Sequence, residues 1–260
     1  MLNALEDVYQ NRVLNFAHRG ASAAAPGNTL AAFRLAAEMG ADGVELDVQL
    51  SQDGEAVVIH DFSVDGTTDG QGAVRKMVLP QLKELDAGSW FGPAFAGERI
   101  PTLQEVFDVI GHRLLINVEI KRLPGRSSGL EAEVVRLIED SNLVHRVIAS
   151  SFNPLSLRKV KRLNPNIPTG LLYAPDQPLF LRRAWLGPIV PHEFRHPHHS
   201  MVDERFMAWA GNQGYRVNTW TVDEPDEMRR LVRLGVHGII TDCPDLLAEI
   251  LAEDEHHSER

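Results

Sequence analysis

Cysteine is almost absent from this sequence: Cys243 stands alone among 260 residues. A single thiol excludes any disulfide within the chain, and a reducing, cytoplasmic setting is expected. Positive charge is also scarce, with 26 Lys and Arg against 36 Asp and Glu and a formal charge of −10. That balance excludes the broad basic face that nonspecific binding to nucleic acid or an anionic membrane requires. No apolar run approaches the roughly 18 residues of a membrane span, so no stable membrane insertion is expected. The opening MLNALEDVYQNRV carries acidic residues and no apolar core of a secretion signal. HRGASAAAPGN, after the first apolar stretch, lacks the G-x-G-x-x-G spacing of a dinucleotide site. An anionic ligand would have to be held by a metal or by a few placed cations.

Apolar strands alternating with helices are plentiful. Strands are expected near residues 13, 43, 114, 146, 168, 194, 216 and 238, with helices between nearly all of them. Eight such units make right-handed β-α-β connections and favour a closed (β/α)₈ TIM barrel over an open sheet. The whole chain, 1–260, reads as one such domain. Capping signals mark the helix starts: Asn28 or Thr29, the Thr102/Glu105 capping box, Asn153-Pro154, and Asp223. PDLLAEIL reads as a closing helix and EDEHHSER as a frayed tail. Residues 61–100 break the rhythm with many glycines and short turns, and are expected to form a small insertion after the second strand. The segment 175–190 has no readable periodicity.

In such a barrel the chemistry lies at the C-terminal ends of the strands. There the sequence puts His18 and Arg19, Glu45 and Asp47, Asn117, Glu119 and Lys121, Trp220, and Asp242. GVELDVQL alternates so that Glu45 and Asp47 share one face. If the hairpin turns symmetrically about Asp53-Gly54, paired positions sum to 107 and His60 lies across from Asp47. An isolated E-x-D is more often a solvated strand face. With Glu119, however, three carboxylates enter one barrel mouth, where burial without a cation is costly. An all-oxygen set suits Mg²⁺ or Ca²⁺ rather than zinc. His18 and His60 flank that cluster as an acid/base pair for phosphoryl transfer. Arg19 has two readings, phosphate clamp or structural ion pair. Lys121 likewise either balances developing charge or only partners Glu119. The spacing of His192, His196, His198 and His199 fits no closed zinc site.

HRGASAAAPGNTLAAF, GADGVELDVQLSQDGEAVVIHD, DAGSWF…FAGERIPTLQEV, NVEIK, NTWTVD and GIITDCPDL together resemble the glycerophosphodiester phosphodiesterases over about residues 13–250. The resemblance implies a TIM barrel with a small insertion after the second strand. It implies Glu45, Asp47 and Glu119 as ligands of Mg²⁺ or Ca²⁺ and His18 and His60 as the acid/base pair. Arg19 and Lys121 would contact phosphate, and Trp220 would line the pocket. The substrate would be a small glycerophosphodiester, cleaved to an alcohol and sn-glycerol 3-phosphate. Two positions depart from the family pattern: Gly27 stands where Glu is usual, and Gly66 where Arg is usual. The competing readings are a related enzyme acting on lysophospholipids or sphingomyelin-like lipids, for which Trp90, Phe91 and Phe95 speak, and a catalytically silent barrel that binds a phosphate ligand.

Overall fold

Phe16 lies in register with both Gly43 and Ile240, so the first strand neighbours the second and the last. That double pairing closes the sheet. A computed structural model describes residue 9 and residues 12–122, 129–177 and 190–258. Its strands are β1 (Leu14–His18), β2 (Gly43–Leu50), β3 (Ala56–Val58), β4 (Leu115–Ile120), β5 (Val147–Ser151), β6 (Thr169–Tyr173), β7 (Phe194–Pro197), β8 (Arg216–Thr219) and β9 (Gly238–Thr241). All but β3 run parallel in the order β1-β9-β8-β7-β6-β5-β4-β2, with β2 returning to β1. This is the expected (β/α)₈ barrel, and β3 hangs antiparallel on β2 outside the ring.

The helices are α1 (Leu30–Glu38), α2 (Leu79–Glu84), α3 (Leu103–Ile110), α4 (Leu130–Asp140), α5 (Pro154–Leu163), α6 (Glu204–Asn212), α7 (Pro225–Arg233) and α8 (Pro244–Ser258). Local chemistry sets their starts. Thr29 accepts from Ala32 N, Thr102 and Glu105 form a reciprocal capping box, and Asn153 accepts from Leu155 N ahead of Pro154. Asp223 does not cap α7, contrary to its sequence reading; Glu224 holds that position without a side-chain bond. Asp223 instead accepts from Thr241 Oγ1 and Asp242 N, because the end of β9 lies closer to it than the first turn of α7. The closing helix continues to Ser258 through much of the expected frayed tail. Most of 175–190 lies outside the described residues. Among the described residues, no helix is long and apolar enough to cross a membrane.

Two apolar layers hold the ring. Val44, Leu46 and Val48 point outward from β2 and pack with Phe33 of α1 and Val106, Phe107 and Ile110 of α3, all at most 2% exposed. Inside, Leu14, Phe16, Leu115, Ile148, Phe194 and Ile240 fill the lower barrel. Tyr9 closes the bottom: its ring meets Phe194 at 5.2 Å, and its hydroxyl accepts from Asn218 Nδ2 at 2.8 Å. With the lower barrel packed, the upper mouth is the open end. The insertion has its own small core of Val64, Val74, Leu82, Ala87 and Ile100, joined to Val57 and Ile59 beside β3.

The hairpin register differs from the expected one. Val48 pairs with Val58 and Leu50 with Ala56, so paired positions sum to 106, and Ile59 rather than His60 lies opposite Asp47. The loop contains three residues, Gln52, Asp53 and Gly54, with Ser51 N bonded to Glu55 O. Gly54 takes φ 93°, the left-handed position that closes a three-residue hairpin with a bulge. His60 therefore lies beyond the end of β3.

Candidate active site

Glu45 and Asp47 enter the mouth from β2, and Glu119 comes from β4 in direct register with Asp47. One oxygen from each of the three lies within 4.8 Å of the others, the sole group of this kind among the described residues. All three are buried. Lys121 Nζ stands 3.2 Å from Glu119 Oε1 and 3.4 Å from Asp47 Oδ1, while Arg19 Nε is 3.3 Å from Asp47 Oδ2. Each cation is thus an ion-pair partner of the cluster and also lines the mouth.

Three carboxylates and two cations leave one negative charge uncompensated, and the acidities reflect it. Burial, then the charges of Asp47 and Glu119, push Glu45 well above the usual carboxylate range. Burial and Asp47 push Glu119 up to about 7. Burial acts on Asp47 in the same direction, but Lys121 and Arg19, with His60 and Asn28, outweigh it and leave Asp47 low. Glu45 Oε2 is buried with no hydrogen-bond partner. An orphaned anionic oxygen between two more carboxylates is what a divalent cation would satisfy, and the all-oxygen donor set fits Mg²⁺ or Ca²⁺.

Each histidine is held through Nδ1 by an aspartate. His18 Nδ1 lies 2.6 Å from Asp242 Oδ1, and His60 Nδ1 lies 2.7 Å from Asp61 Oδ1. Ser22 Oγ also donates to Asp242, at 2.7 Å. This arrangement leaves Nε2 as the nitrogen of each ring not engaged by an aspartate; that of His18 lies 3.9 Å from Glu45 Oε2. Burial lowers the His60 pKa, and the attraction of Asp47 only partly offsets it.

Backbone strain concentrates at the same place. Arg19 and Asn28 adopt φ 57° and 63°, a region that an arginine seldom visits. Arg19 N donates to Glu45 O, and Asn28 N donates to Arg19 O, which locks the loop over the carboxylates. Asn28 Nδ2 then donates to Asp47 Oδ2 at 2.9 Å. Trp220, just past β8, donates Nε1 to His196 O and meets Phe152 edge-on at 5.5 Å, walling the far side of the mouth.

All eight residues nominated from the sequence converge here. Asn28, Asp61 and Asp242 also belong to the site; the sequence reading gave Asn28 only as a candidate helix cap, placed Asp242 only at the end of the last strand, and did not single out Asp61. Their signals were the residue after the HRG loop, the His-Asp dipeptide, and a polar end on the last strand. The histidine tract does not assemble. His192 stacks on Tyr215 at 4.9 Å, His196 is fully buried, and His199 pairs with Glu227.

The comparisons with known proteins follow this geometry. The model of the glycerophosphoryl diester phosphodiesterase family matches residues 18–246. A glycerophosphodiester phosphodiesterase of Caldanaerobacter subterraneus subsp. tengcongensis is 44% identical over 242 residues, covering 92% of this chain and 98% of that protein. One from Bacillus subtilis is 33% identical, covering 92% and 87%. The structure of an Oleispira antarctica phosphodiesterase, in complex with the product sn-glycerol-3-phosphate, superposes with a TM-score of 0.84 at 32% identity, covering 93% of this chain and 97% of that one. The family model spans most of the chain and these relatives align with it over nearly their whole length, so the chain is an enzyme of the glycerophosphoryl diester phosphodiesterase family.

Proposed function

We propose that this chain hydrolyses glycerophosphodiesters to an alcohol and sn-glycerol 3-phosphate, using a divalent cation and two histidines. The observation that carries the reading is the buried Glu45–Asp47–Glu119 cluster flanked by His18 and His60, each with an aspartate on Nδ1. Glu45, Asp47 and Glu119 would hold Mg²⁺ or Ca²⁺, which when bound supplies positive charge to a phosphate oxygen and allows all three acids to ionise. Arg19 and Lys121 would bind the remaining phosphate oxygens and stabilise charge that grows on them. One histidine takes the proton of the nucleophile and the other delivers a proton to the departing alkoxide. Asp242 and Asp61 hold the rings with Nε2 toward the phosphate, and Trp220 limits where the substrate can lie.

The single cysteine supports a cytoplasmic setting, and the −10 formal charge supports a small-molecule substrate rather than nucleic acid. The test is release of glycerol 3-phosphate from diesters of several alcohols, with Mg²⁺, with Ca²⁺ and with EDTA. Metal-dependent release is expected. Full activity in EDTA would overturn the metal assignment, and unchanged turnover in His18→Ala would overturn the acid/base assignment.

A further inference from the structure

His18, Arg19 and His60 border two cavities, one on each side of them. The first, of about 180 Å³, lies in the barrel mouth and contains Glu45, Asn117, Glu119 and Lys121. The second, of about 160 Å³, lies under the insertion and is walled by Val58, Ile59, Ala87, Trp90 and Ile100, with Gly27 at its edge. A phosphodiester has two arms. With phosphorus on the ridge between the cavities, each cavity receives one of them.

Free hydrogen-bonding capacity decides which arm goes where. In the barrel cavity both polar atoms of the buried Asn117 amide, and Glu45 Oε2, have no partner. In the insertion cavity the polar groups beyond His18, Arg19, His60 and Asp242 are largely engaged. Ser22 Oγ donates to Asp242, Thr29 Oγ1 to Pro26 O and Asn28 Nδ2 to Asp47, which leaves Thr67 to add a hydroxyl. What that cavity offers a ligand is chiefly hydrocarbon. Trp90 forms a fixed lip, its Nε1 donating to Ala87 O and its ring edge-on to Phe91 at 5.6 Å.

Gly27 lines this second cavity, and Gly66 adjoins Thr67, which also lines it. A Cβ on Gly27 would lie 3.3 Å from Arg19 Cβ, and one on Gly66 would lie 3.4 Å from Asp61 Oδ2, the carboxylate that holds His60. An acid at 27 and a base at 66 would make this wall charged. The chain has neither.

We propose that the cavity under the insertion is the subsite for the alcohol arm and selects an uncharged, apolar alcohol, while the glycerol hydroxyls sit in the barrel cavity against Asn117. The inference rests on the phosphodiesterase reading above. In the reaction the bond from phosphorus to the alcohol oxygen breaks, the bond to the nucleophile's oxygen forms, and the alcohol oxygen gains a proton. The freed alcohol then leaves past Trp90, which is 49% exposed. The specificity residues are Gly27 and Trp90.

The test is a series of ethyl, butyl and hexyl diesters of glycerol 3-phosphate, whose leaving alcohols have nearly equal basicity. From ethyl to hexyl, kcat/KM is expected to rise about tenfold, the gain from half-burying four methylenes. Trp90→Ala is expected to cut that rise to about threefold or less. Gly27→Gln, which narrows the cavity from its other edge, is expected to lower the hexyl rate more than the ethyl rate. Lysophosphatidylcholine, which carries its chain on the glycerol arm, is expected to react at under a tenth of the hexyl rate. A flat series, a rise untouched by either substitution, or equal use of lysophosphatidylcholine would overturn the inference. No hydrolysis of any diester with any metal would instead overturn the phosphodiesterase reading itself.

Discussion

Because Glu119 holds its proton up to about pH 7 when no metal is present, metal binding must displace that proton. The cost of displacing one proton from a group of pKa about 7 is roughly 3 kcal/mol at pH 5 and close to zero at pH 8. The sign follows from proton counts. A carboxyl whose pKa is raised on folding binds more protons in the native state than in the unfolded one between about 4.5 and 7. Its contribution to the stability of the metal-free protein therefore falls as pH rises through that window. A bound divalent cation removes the penalty by pairing the ionised acid. The stabilisation conferred by one fixed Mg²⁺ concentration is thus expected to be larger at pH 8 than at pH 5 by roughly 3 kcal/mol from Glu119 alone, or about 5–10 °C in Tm for a domain of this size. Glu45, whose carboxyl is also pushed up, adds in the same direction. Buried His192 and His196, lowered to about 4 and about 3 by desolvation, have the opposite pH slope. They act equally with and without metal and cancel in the difference. Thermal melts in Mg²⁺ and in EDTA at both pH values measure it, and Glu119→Gln should reduce the pH dependence. An increment equal at the two pH values, or larger at pH 5, would refute the reasoning.

His18→Ala and His60→Ala are each expected to lower kcat by about 10²-fold or more, with circular dichroism unchanged. Asp242→Asn should lower kcat about tenfold with little change in KM, since His18 loses the partner of its Nδ1 at 2.6 Å; steady-state kinetics separate the two constants. Asp61→Asn should do less, because the Asp61 side chain is 52% exposed and water can replace it. Gly238→Ala would put a Cβ 2.6 Å from Asn218 Oδ1, beside the hydrogen bond to Tyr9, and is expected to cost about 1–3 kcal/mol in denaturant unfolding.

The parts of this protein that are local in sequence were legible in it. Alternation along Gly43–Leu50 gave the faces of β2 directly, and the Thr102/Glu105 box and Asn153-Pro154 fixed two helix starts. Barrel topology then brought Glu119 beside Asp47 from a strand more than sixty residues away, as inward-facing carboxylates at strand ends require. The hairpin register was not legible. Asp53-Gly54 is compatible with both a two- and a three-residue loop, and the choice depends on how Ser51 and Glu55 pair. Asp223 is a good cap by composition, yet a strand end captured its carboxylate. Asn28 and Asp242 acquire their roles only through contacts across the fold, with Asp47 and His18 respectively. No spacing rule encodes a partner 224 positions away.

The His18–Asp242 contact joins the first strand of the ring to the end of the last. Every carboxylate of the proposed metal cluster has been synthesised by residue 119, and the two proposed acid/base histidines, His18 and His60, earlier still, less than halfway along the chain. Yet the ring of His18 has its Asp242 partner only once β9 docks on β1. A nascent or truncated chain can thus carry the complete set of acids and bases and still lack an aligned proton donor or acceptor. On the proposed chemistry, hydrolytic competence becomes a property of the finished circle.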